Sequence, residues 1–423
     1  MKLIMQTVKL SYSAKFSGVL TSLFLSFLFS SSAAFAETSQ ADFKIWLNEF
    51  KQEAVTAGIK TATVNQAFAN VSLNEDVLLS DKSQPEFTQT FFQYFDRAVS
   101  DYRIRTGQRR YKQHRRLLDQ VTRKYGVPGR FLVAFWGLET NFGSYTGNIP
   151  IFESLATLAY DPRRSGFFRG QLMDALKILD KGHVSLRQMK GSWAGAMGQC
   201  QFMPSNYIHY AVDGDGDGKI DLWNSLPDVF YSAGNFLSQL GWQRVENWGR
   251  EVALPKDFDY ALADNKTQRS LAEWQKLGLK LADGRPLPIE EMQAKLLLAT
   301  DYQGPAFLVF DNFRVIKRWN NADKYALAVG HLADRIIGRA PLTKQRPADD
   351  EPLSTKLVKE VQIRLNNLGY QTGKPDGVIG KRTRQALREF QVKNKIPADG
   401  YVNEAMLKIL RQADKSAVNL EEA

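Results

Sequence analysis

The sequence contains one cysteine, Cys200, in 423 residues. An intramolecular disulfide is therefore excluded, and so is a zinc site built on paired cysteines. Histidine is nearly as scarce: His114, His183, His209 and His331, with no H-x-x-H or H-E-x-x-H pair among them. That spacing argues against a zinc hydrolase and points any catalysis toward carboxylates. Beyond the N-terminal segment there is no long apolar run, no low-complexity tract and no long repeat. A spanning helix is not expected in the body of the chain.

The rest is ordinary globular material, 43% hydrophobic and 24% charged, enough for a sizeable core and for two or three domains. The formal net charge of +11 suits an acidic partner, whether nucleic acid, anionic lipid or another acidic polymer, without choosing among them. At the N-terminus, Lys2, Lys9 and Lys15 precede an apolar run from Gly18 to Phe29, then Ser30 to Ala36 ending Ala34-Phe35-Ala36. This reads as a secretory leader, residues 1–36, and the run is too short for a transmembrane anchor. Removing it takes away three lysines and no acids, which leaves +8 on a chain starting near Glu37. A soluble exported protein without a membrane anchor is expected.

Phe43, Trp46, Leu47 and Phe50 share one helical face, and Phe91, Phe92 and Phe95 share another. The basic run Arg103, Arg105, Arg109, Arg110, Lys112, Arg115, Arg116 reads as a solvated helix face, with part of an anion-binding cleft as the other reading. Helical segments broken by Gly-rich loops fill 131–245. Val252-Ala253-Leu254-Pro255 and Ala306 to Phe310 look like strands, which suggests a small β-containing insertion over 250–315. Residues 341–354 are Pro-rich, charged and aperiodic, the pattern of a linker. The fold class expected is mainly α, with an α-helical N-terminal part, this β insertion and a small three-helix C-terminal domain over 355–415.

The most informative stretch runs from Val127 to Gly143. Pro128 suits a helix start. Helical periodicity places Glu139 inside the apolar stripe of Phe131, Leu132, Phe135 and Trp136, close to a break at Asn141-Phe142-Gly143. A carboxyl on a core face is costly unless paired or functional. Desolvation and the negative end of the helix dipole both favour its neutral acid, the state a general acid for glycosidic cleavage requires. The competing reading is a buried Glu that caps backbone groups.

Three motifs carry a resemblance. Gly137-x-Glu139-Thr140-Asn141-Phe142-Gly143, Leu155-Ala156-Thr157-Leu158-Ala159 and Gly191-Ser192-Trp193-Ala194-Gly195-Ala196-Met197-Gly198-Gln199-x-Gln201-Phe202-Met203-Pro204-Ser205 look like the lytic murein transglycosylase B family, over roughly 41–340. The resemblance implies a lysozyme-like α+β catalytic core over 37–340 with one catalytic residue, Glu139. It implies that Glu139 protonates the glycosidic oxygen between N-acetylmuramic acid and N-acetylglucosamine while the muramoyl N-acetyl group stabilises the positive centre. Glu139 then takes the proton of the muramoyl 6-hydroxyl as that oxygen attacks C1. A 1,6-anhydro sugar forms, no water is consumed and no second carboxylate is needed, unlike ordinary glycosidases. Asp161, in Asp161-Pro162-Arg163, reads better as a turn than as a partner.

By the same resemblance, Tyr94, Ser192, Gln201, Phe202, Phe236, Trp319, Asn320 and Tyr325 would bind or stack on sugars or orient Glu139, with plain core packing the alternative for each aromatic. Trp319 and Phe236 stand where some members have Tyr. Cys200 stands where Gly or Pro is common and reads as a small buried residue. Asp213-Gly-Asp215-Gly-Asp217-Gly218-Lys219-Ile220-Asp221 fits an EF-hand-type loop for a hard cation, with Lys219 offering its carbonyl. Position 12 is Asn224 instead of Glu; the family's later carboxylate corresponds to Asp228. A structural Ca²⁺ or Na⁺ is expected there, and no cofactor for catalysis.

Val361-Gln362-x-x-Leu365-x-x-Leu368-Gly369-Tyr370, Asp376-Gly377-x-x-Gly380-x-x-Thr383 and Asp399-Gly400 resemble the peptidoglycan-binding domain type 1. Residues 355–423 carry 13 Lys+Arg against 8 Asp+Glu, a +5 balance suited to an acidic wall polymer. The resemblance implies action on peptidoglycan glycan strands; with the leader it places the protein in the periplasm, and a monomer is expected. A water-using muramidase and a non-enzymatic wall-binding scaffold remain as alternatives, and no motif supports a nucleic-acid partner.

Overall fold

The computed structural model describes residues 25–82, 89–264, 266–347 and 350–421. Most of the expected leader, residues 1–24, lies outside the described residues. The chain divides into two compact units, residues 1–73 and 74–423. In the first, α1 (Leu25–Thr56) and α2 (Thr61–Ala67) follow one another. The stripe read from the sequence is its core: Phe43, Leu47 and Phe50 are buried, and Trp46 stacks between Phe43 and Phe50. Among the described residues no helix is long and apolar enough to cross a membrane.

The second unit opens with α3 (Glu75–Lys82), α4 (Phe91–Ala98), α5 (Asp101–Gln113), α6 (Arg115–Tyr125) and α7 (Gly129–Thr140). α7 is the central helix: every residue from Phe131 to Gly137 is buried. The basic run spans α5 and α6 and is not uniformly solvated. Arg115 lies exposed with Asp119, but Arg103 turns inward and donates to the carbonyls of Gly137, Arg97 and Ala98 at 3.1, 2.8 and 3.1 Å. It thereby satisfies helix-end carbonyls that burial would leave without water.

β1 (Ile149–Pro150) pairs antiparallel with β2 (Lys190–Gly191), on either side of α8 (Ile151–Tyr160) and α9 (Ser165–Asp180). α10 (Pro204–Tyr210) and α11 (Leu226–Gln239) complete this helical layer. The expected β insertion is a five-stranded antiparallel sheet of order β4-β6-β7-β3-β5. Its strands are β3 (Gly249–Ala253), β4 (Gln268–Ser270), β5 (Lys280–Leu281), β6 (Gln293–Leu298) and β7 (Ala306–Val309). β7 lies between two neighbours and is buried throughout, which is why its sequence is an unbroken apolar run. The short helix α12 (Leu271–Lys276) packs Trp274 into the insertion's own core with Leu279, Leu296 and Leu308.

α13 (Asp311–Trp319) and α14 (Asp323–Ile336) return the chain to α7. Gly330 makes α14's approach possible: a Cβ there would lie 2.2 Å from the Trp248 ring. The described residues of 341–354 have no regular structure, and they are fastened. Thr343 hydrogen-bonds Glu251, Arg346 pairs with Asp350, and Thr90 Oγ1 donates to Asp350 at 2.6 Å. The C-terminal unit is α15 (Thr355–Asn367), α16 (Lys381–Lys393) and α17 (Glu404–Glu421) around Val361, Leu365, Leu387, Phe390 and Leu407.

α7 is pinned at its C-terminal end by Gln199. Trp136 Nε1 donates to Gln199 Oε1 at 2.8 Å, Thr140 Oγ1 donates to the Gln199 carbonyl at 2.9 Å, and Gln199 Nε2 donates to the Trp223 carbonyl at 2.7 Å. Gln199→Ala strands the buried Trp136 N–H and is expected to cost about 2 kcal/mol of unfolding free energy in urea titrations. A second prediction concerns His331, buried on α14 with its ring 5.3 Å from that of Phe95. Burial, helped by Arg335, pushes its pKa down from 6.5 to about 4. Between those values the unfolded chain binds more protons, so stability is present above the unfolded pKa and lost on acidification through the folded one. Stability should fall by up to roughly 3 kcal/mol across that window, and His331→Phe should flatten the slope.

Candidate active site

Glu139 is the last but one residue of α7, half-buried at the end of the central helix. The helix stops because Asn141, Phe142 and Gly143 all adopt left-handed backbone, at φ 50°, 62° and 77°. Two of these carry side chains and cost roughly 1–2 kcal/mol each. The cost is offset by what the turn places. The Phe142 ring is buried edge-on to Trp136 at 5.6 Å and fills the space that a side chain at Gly137 would occupy. The Gly143 amide donates to Thr140 Oγ1 at 3.1 Å.

Against Glu139 lies Tyr325, whose hydroxyl donates a hydrogen bond to Glu139 Oε1. Burial first, then the Glu139 charge, raises the Tyr325 phenol well above its ordinary range, so it stays a donor at every physiological pH. Cys200 is also buried, and burial with the same glutamate pushes its thiol up. This fits a small inert residue and not a nucleophile.

The aromatic residues form a stack whose outer member is Trp319. It lies on Phe135 at 4.3 Å between ring centres with 26° between planes, and meets Phe202 and Phe236 at 5.4 and 5.2 Å. Phe202 and Phe236 are only 1% and 4% exposed. Of the residues expected to touch sugar, these two support Trp319 from below, because its ring and that of Tyr210 cover them. Tyr94, on α4, is buried beside Tyr325. Trp319, Asn320, Ser192 and Gln201 keep open surface.

Ser192 and Gln201 belong to the Gly-rich loop and fold it. Ser192 Oγ accepts from the Ala196 amide at 3.0 Å. Gln201, at φ 49°, donates from Nε2 to the carbonyls of Thr146 and Gly198. Gly147 lets the segment after α7 press on this loop, since a Cβ there would meet the Gly191 carbonyl at 2.0 Å. Nothing local in the sequence marks Gln199; its bonds to Trp136, Thr140 and Trp223 reveal its role.

The acidic loop gathers carboxylate oxygens of Asp213, Asp215 and Asp217 within 4.8 Å of one another. Asp213 accepts from the Gly216 and Gly218 amides, which hold its carboxyl below its ordinary pKa. The Lys219 amide donates to Asp217 at 2.8 Å. Asp228 is not gathered with the three. It is buried on α11 and accepts from the amides of Gly214 and Asp221, at 2.7 Å each, closing the loop from inside. Convergent oxygens with backbone-ordered geometry suit a hard cation.

The chain matches the transglycosylase SLT domain over residues 42–334 and a putative peptidoglycan binding domain over 354–410. The membrane-bound lytic murein transglycosylase B of Escherichia coli is 32% identical over 255 residues, 58% of this chain and 67% of that protein. Among solved structures, SltB3 of Pseudomonas aeruginosa in complex with NAG-anhNAM-pentapeptide is similar at TM-score 0.84 and 46% identity, covering 87% of this chain and 99% of that one. The Escherichia coli lytic transglycosylase Slt35 in complex with calcium is similar at TM-score 0.58 and 29% identity, covering 69% of this chain and 92% of that one. With well over half its length inside the first match, the chain belongs to the transglycosylase SLT domain family.

Proposed function

We propose that this protein is a lytic transglycosylase that cleaves the MurNAc-GlcNAc bond of peptidoglycan and leaves a 1,6-anhydro-MurNAc end, with Glu139 as acid and then base. The observation that carries the assignment is the half-buried Glu139 carboxyl, held by the Tyr325 hydroxyl at the end of the central helix. The Tyr325 hydroxyl holds the carboxyl in place at the end of α7. The proton of Glu139 goes to the leaving O4 as the C1–O4 bond breaks. The muramoyl 6-oxygen then forms its bond to C1 and returns its proton to Glu139. Trp319 offers an apolar face for a sugar ring, with Asn320, Ser192 and Gln201 as the polar rim, Tyr94 and Tyr325 positioning, and Phe202 and Phe236 as support.

Asp213, Asp215, Asp217 and the Lys219 carbonyl would hold a structural Ca²⁺ or Na⁺, with Asp228 closing the loop. The ion would neutralise the crowded carboxylates and take no part in the reaction. The division we favour is a leader at 1–36, a catalytic domain at 37–340 with the insertion at 250–315, a linker at 341–354 and a wall-binding unit at 355–415. A monomer acting in the periplasm is the matching location. The charge of the C-terminal unit and its family match support this reading over a nucleic-acid partner.

Glu139→Gln should reduce release of muropeptides from purified walls by about a thousandfold while wall binding persists. Mass analysis of wild-type products should show species lighter by one water than hydrolysed ones; reducing-end products would establish a muramidase instead, and no release by the wild type above that of walls alone would leave only a scaffold. Tyr325→Phe should lose roughly tenfold in rate. Calcium should raise the melting temperature relative to chelator-treated protein, and Asp215→Asn with Asp217→Asn should abolish that rise.

A further inference from the structure

The C-terminal unit repeats one device twice. Gln362 on α15 and Gln391 on α16 stand 29 residues apart and are both buried. Gln362 Nε2 donates to Asp376 Oδ1 at 2.9 Å, its Oε1 accepts from the Gly377 amide at 2.8 Å, and the Val378 amide returns to Asp376 Oδ1. Gln391 does the same with Asp399 Oδ1, the Gly400 amide and the Tyr401 amide, at 2.7, 2.8 and 2.9 Å. The glycines press on matching helix positions. A Cβ at Gly377 would meet Thr355 and Lys359, and one at Gly400 would meet Arg384 and Arg388. Lys359 therefore occupies in the first copy the place of Arg388 in the second.

The two copies differ in what sits on them. In the second, Asp399 Oδ2 accepts the Tyr302 backbone amide at 3.0 Å, and Arg388 Nη2 donates to the Ala263 carbonyl at 2.8 Å. A carboxylate and a cation thus hold one N–H and one C=O of the insertion's own backbone. In the first copy Asp376 and Lys359 are both exposed. The hydrogen bonds from Gln362 and the Val378 amide keep the Asp376 carboxyl below its ordinary range, so it stays charged.

We propose that Lys359 and Asp376 form a second, open backbone clamp that takes the stem peptide of peptidoglycan, Asp376 Oδ2 accepting a peptide N–H and Lys359 Nζ donating to a peptide C=O. The proposal rests on the wall-cleaving reading above. The filled copy shows the chemistry the device reads: backbone amide groups, without regard to side chain. In the wall polymer, peptide backbone of that kind is found in the stem peptide; the N-acetyl amides of the sugars, which offer the same two groups singly, stay on strands stripped of peptide and so separate the two sources in the test.

The test uses the full-length Glu139→Gln protein, sedimented with purified wall sacculi and with glycan strands stripped of stem peptides. Asp376→Asn keeps an oxygen for Gln362 and Val378 but replaces the free acceptor with a donor. It should weaken retention on intact sacculi by about tenfold and leave retention on stripped strands equal to the parent's. Lys359→Gln, a change at an exposed side chain that keeps the first methylenes of that side chain, should weaken it several-fold and carries the test if Asp376→Asn lowers the melting temperature. Equal retention of both variants on intact sacculi would overturn the clamp alone. A difference that persists on stripped strands would overturn the stem peptide as its ligand. Failure of the Glu139→Gln parent to sediment with sacculi would overturn the wall-binding reading, and the clamp with it.

Discussion

The geometry of the candidate site depends on how one helix ends. A carboxyl on a mid-helix core face would be buried too deeply to meet a substrate, and one on a loop would lack a fixed position. The left-handed run Asn141-Phe142-Gly143 stops α7 directly after Glu139 and Thr140. That strain persists only because the surroundings determine it more strongly than the local chain resists it. Phe142 is buried on Trp136, and Gln199 holds both Trp136 and Thr140. The Gly-rich loop that brings Gln199 is in turn bound to the loop before α11 through the Leu222 and Trp223 carbonyls. The helix end, the Gly-rich loop and the acidic loop are therefore one mechanical assembly around Glu139.

The choice of aromatic residue at each of these places follows from the same packing. A buried tyrosine needs a partner for its hydroxyl, and leaving one without costs more than the hydrogen bond it could make. Phe202 and Phe236 lie under Trp319 and Tyr210, where a ring without a polar atom packs at no such cost. Tyr325 keeps its hydroxyl in an equally buried place because Glu139 accepts from it. The hydroxyl is retained where a carboxylate is there to receive it.

Glu139 was legible in the sequence because helical period and a C-terminal break act locally: an acid in an apolar stripe is conspicuous without any tertiary knowledge. The aromatic residues were legible by type and not by role, since which of them faces outward depends on how α10, α11 and α13 stack. Gln199 was not legible. Its bonds reach Trp136 and Thr140, about 60 residues away, and a buried glutamine has no local signature. Arg103 was misjudged for the same reason, as its partner carbonyl belongs to Gly137 on another helix. In the insertion β7 announced itself by its apolar run, whereas β4 and β5, of three and two residues, are too short for any period to show. The doubled Gln–Asp–Gly device lay in plain view, but its two loops differ in length, which hides the repeat from a fixed-period reading.

A flexible tether would give the wall-binding unit only a local concentration, set by linker length. Here the connecting segment is fastened by Thr343 to Glu251 and by Asp350 to Thr90, and the second Asp-Gly turn is seated on the insertion. The distance from the open turn at Asp376 to Glu139 is then a property of the fold. Two contacts on one rigid body reinforce each other only when the ligand can span both, and are lost when it cannot. A glycan strand carries its stem peptides at regular intervals, so a rigid pair of sites would admit some registers of strand in the cleft and refuse others. Rigidity would thus turn a binding module into a selector of which bond is cut, which a tethered module cannot be.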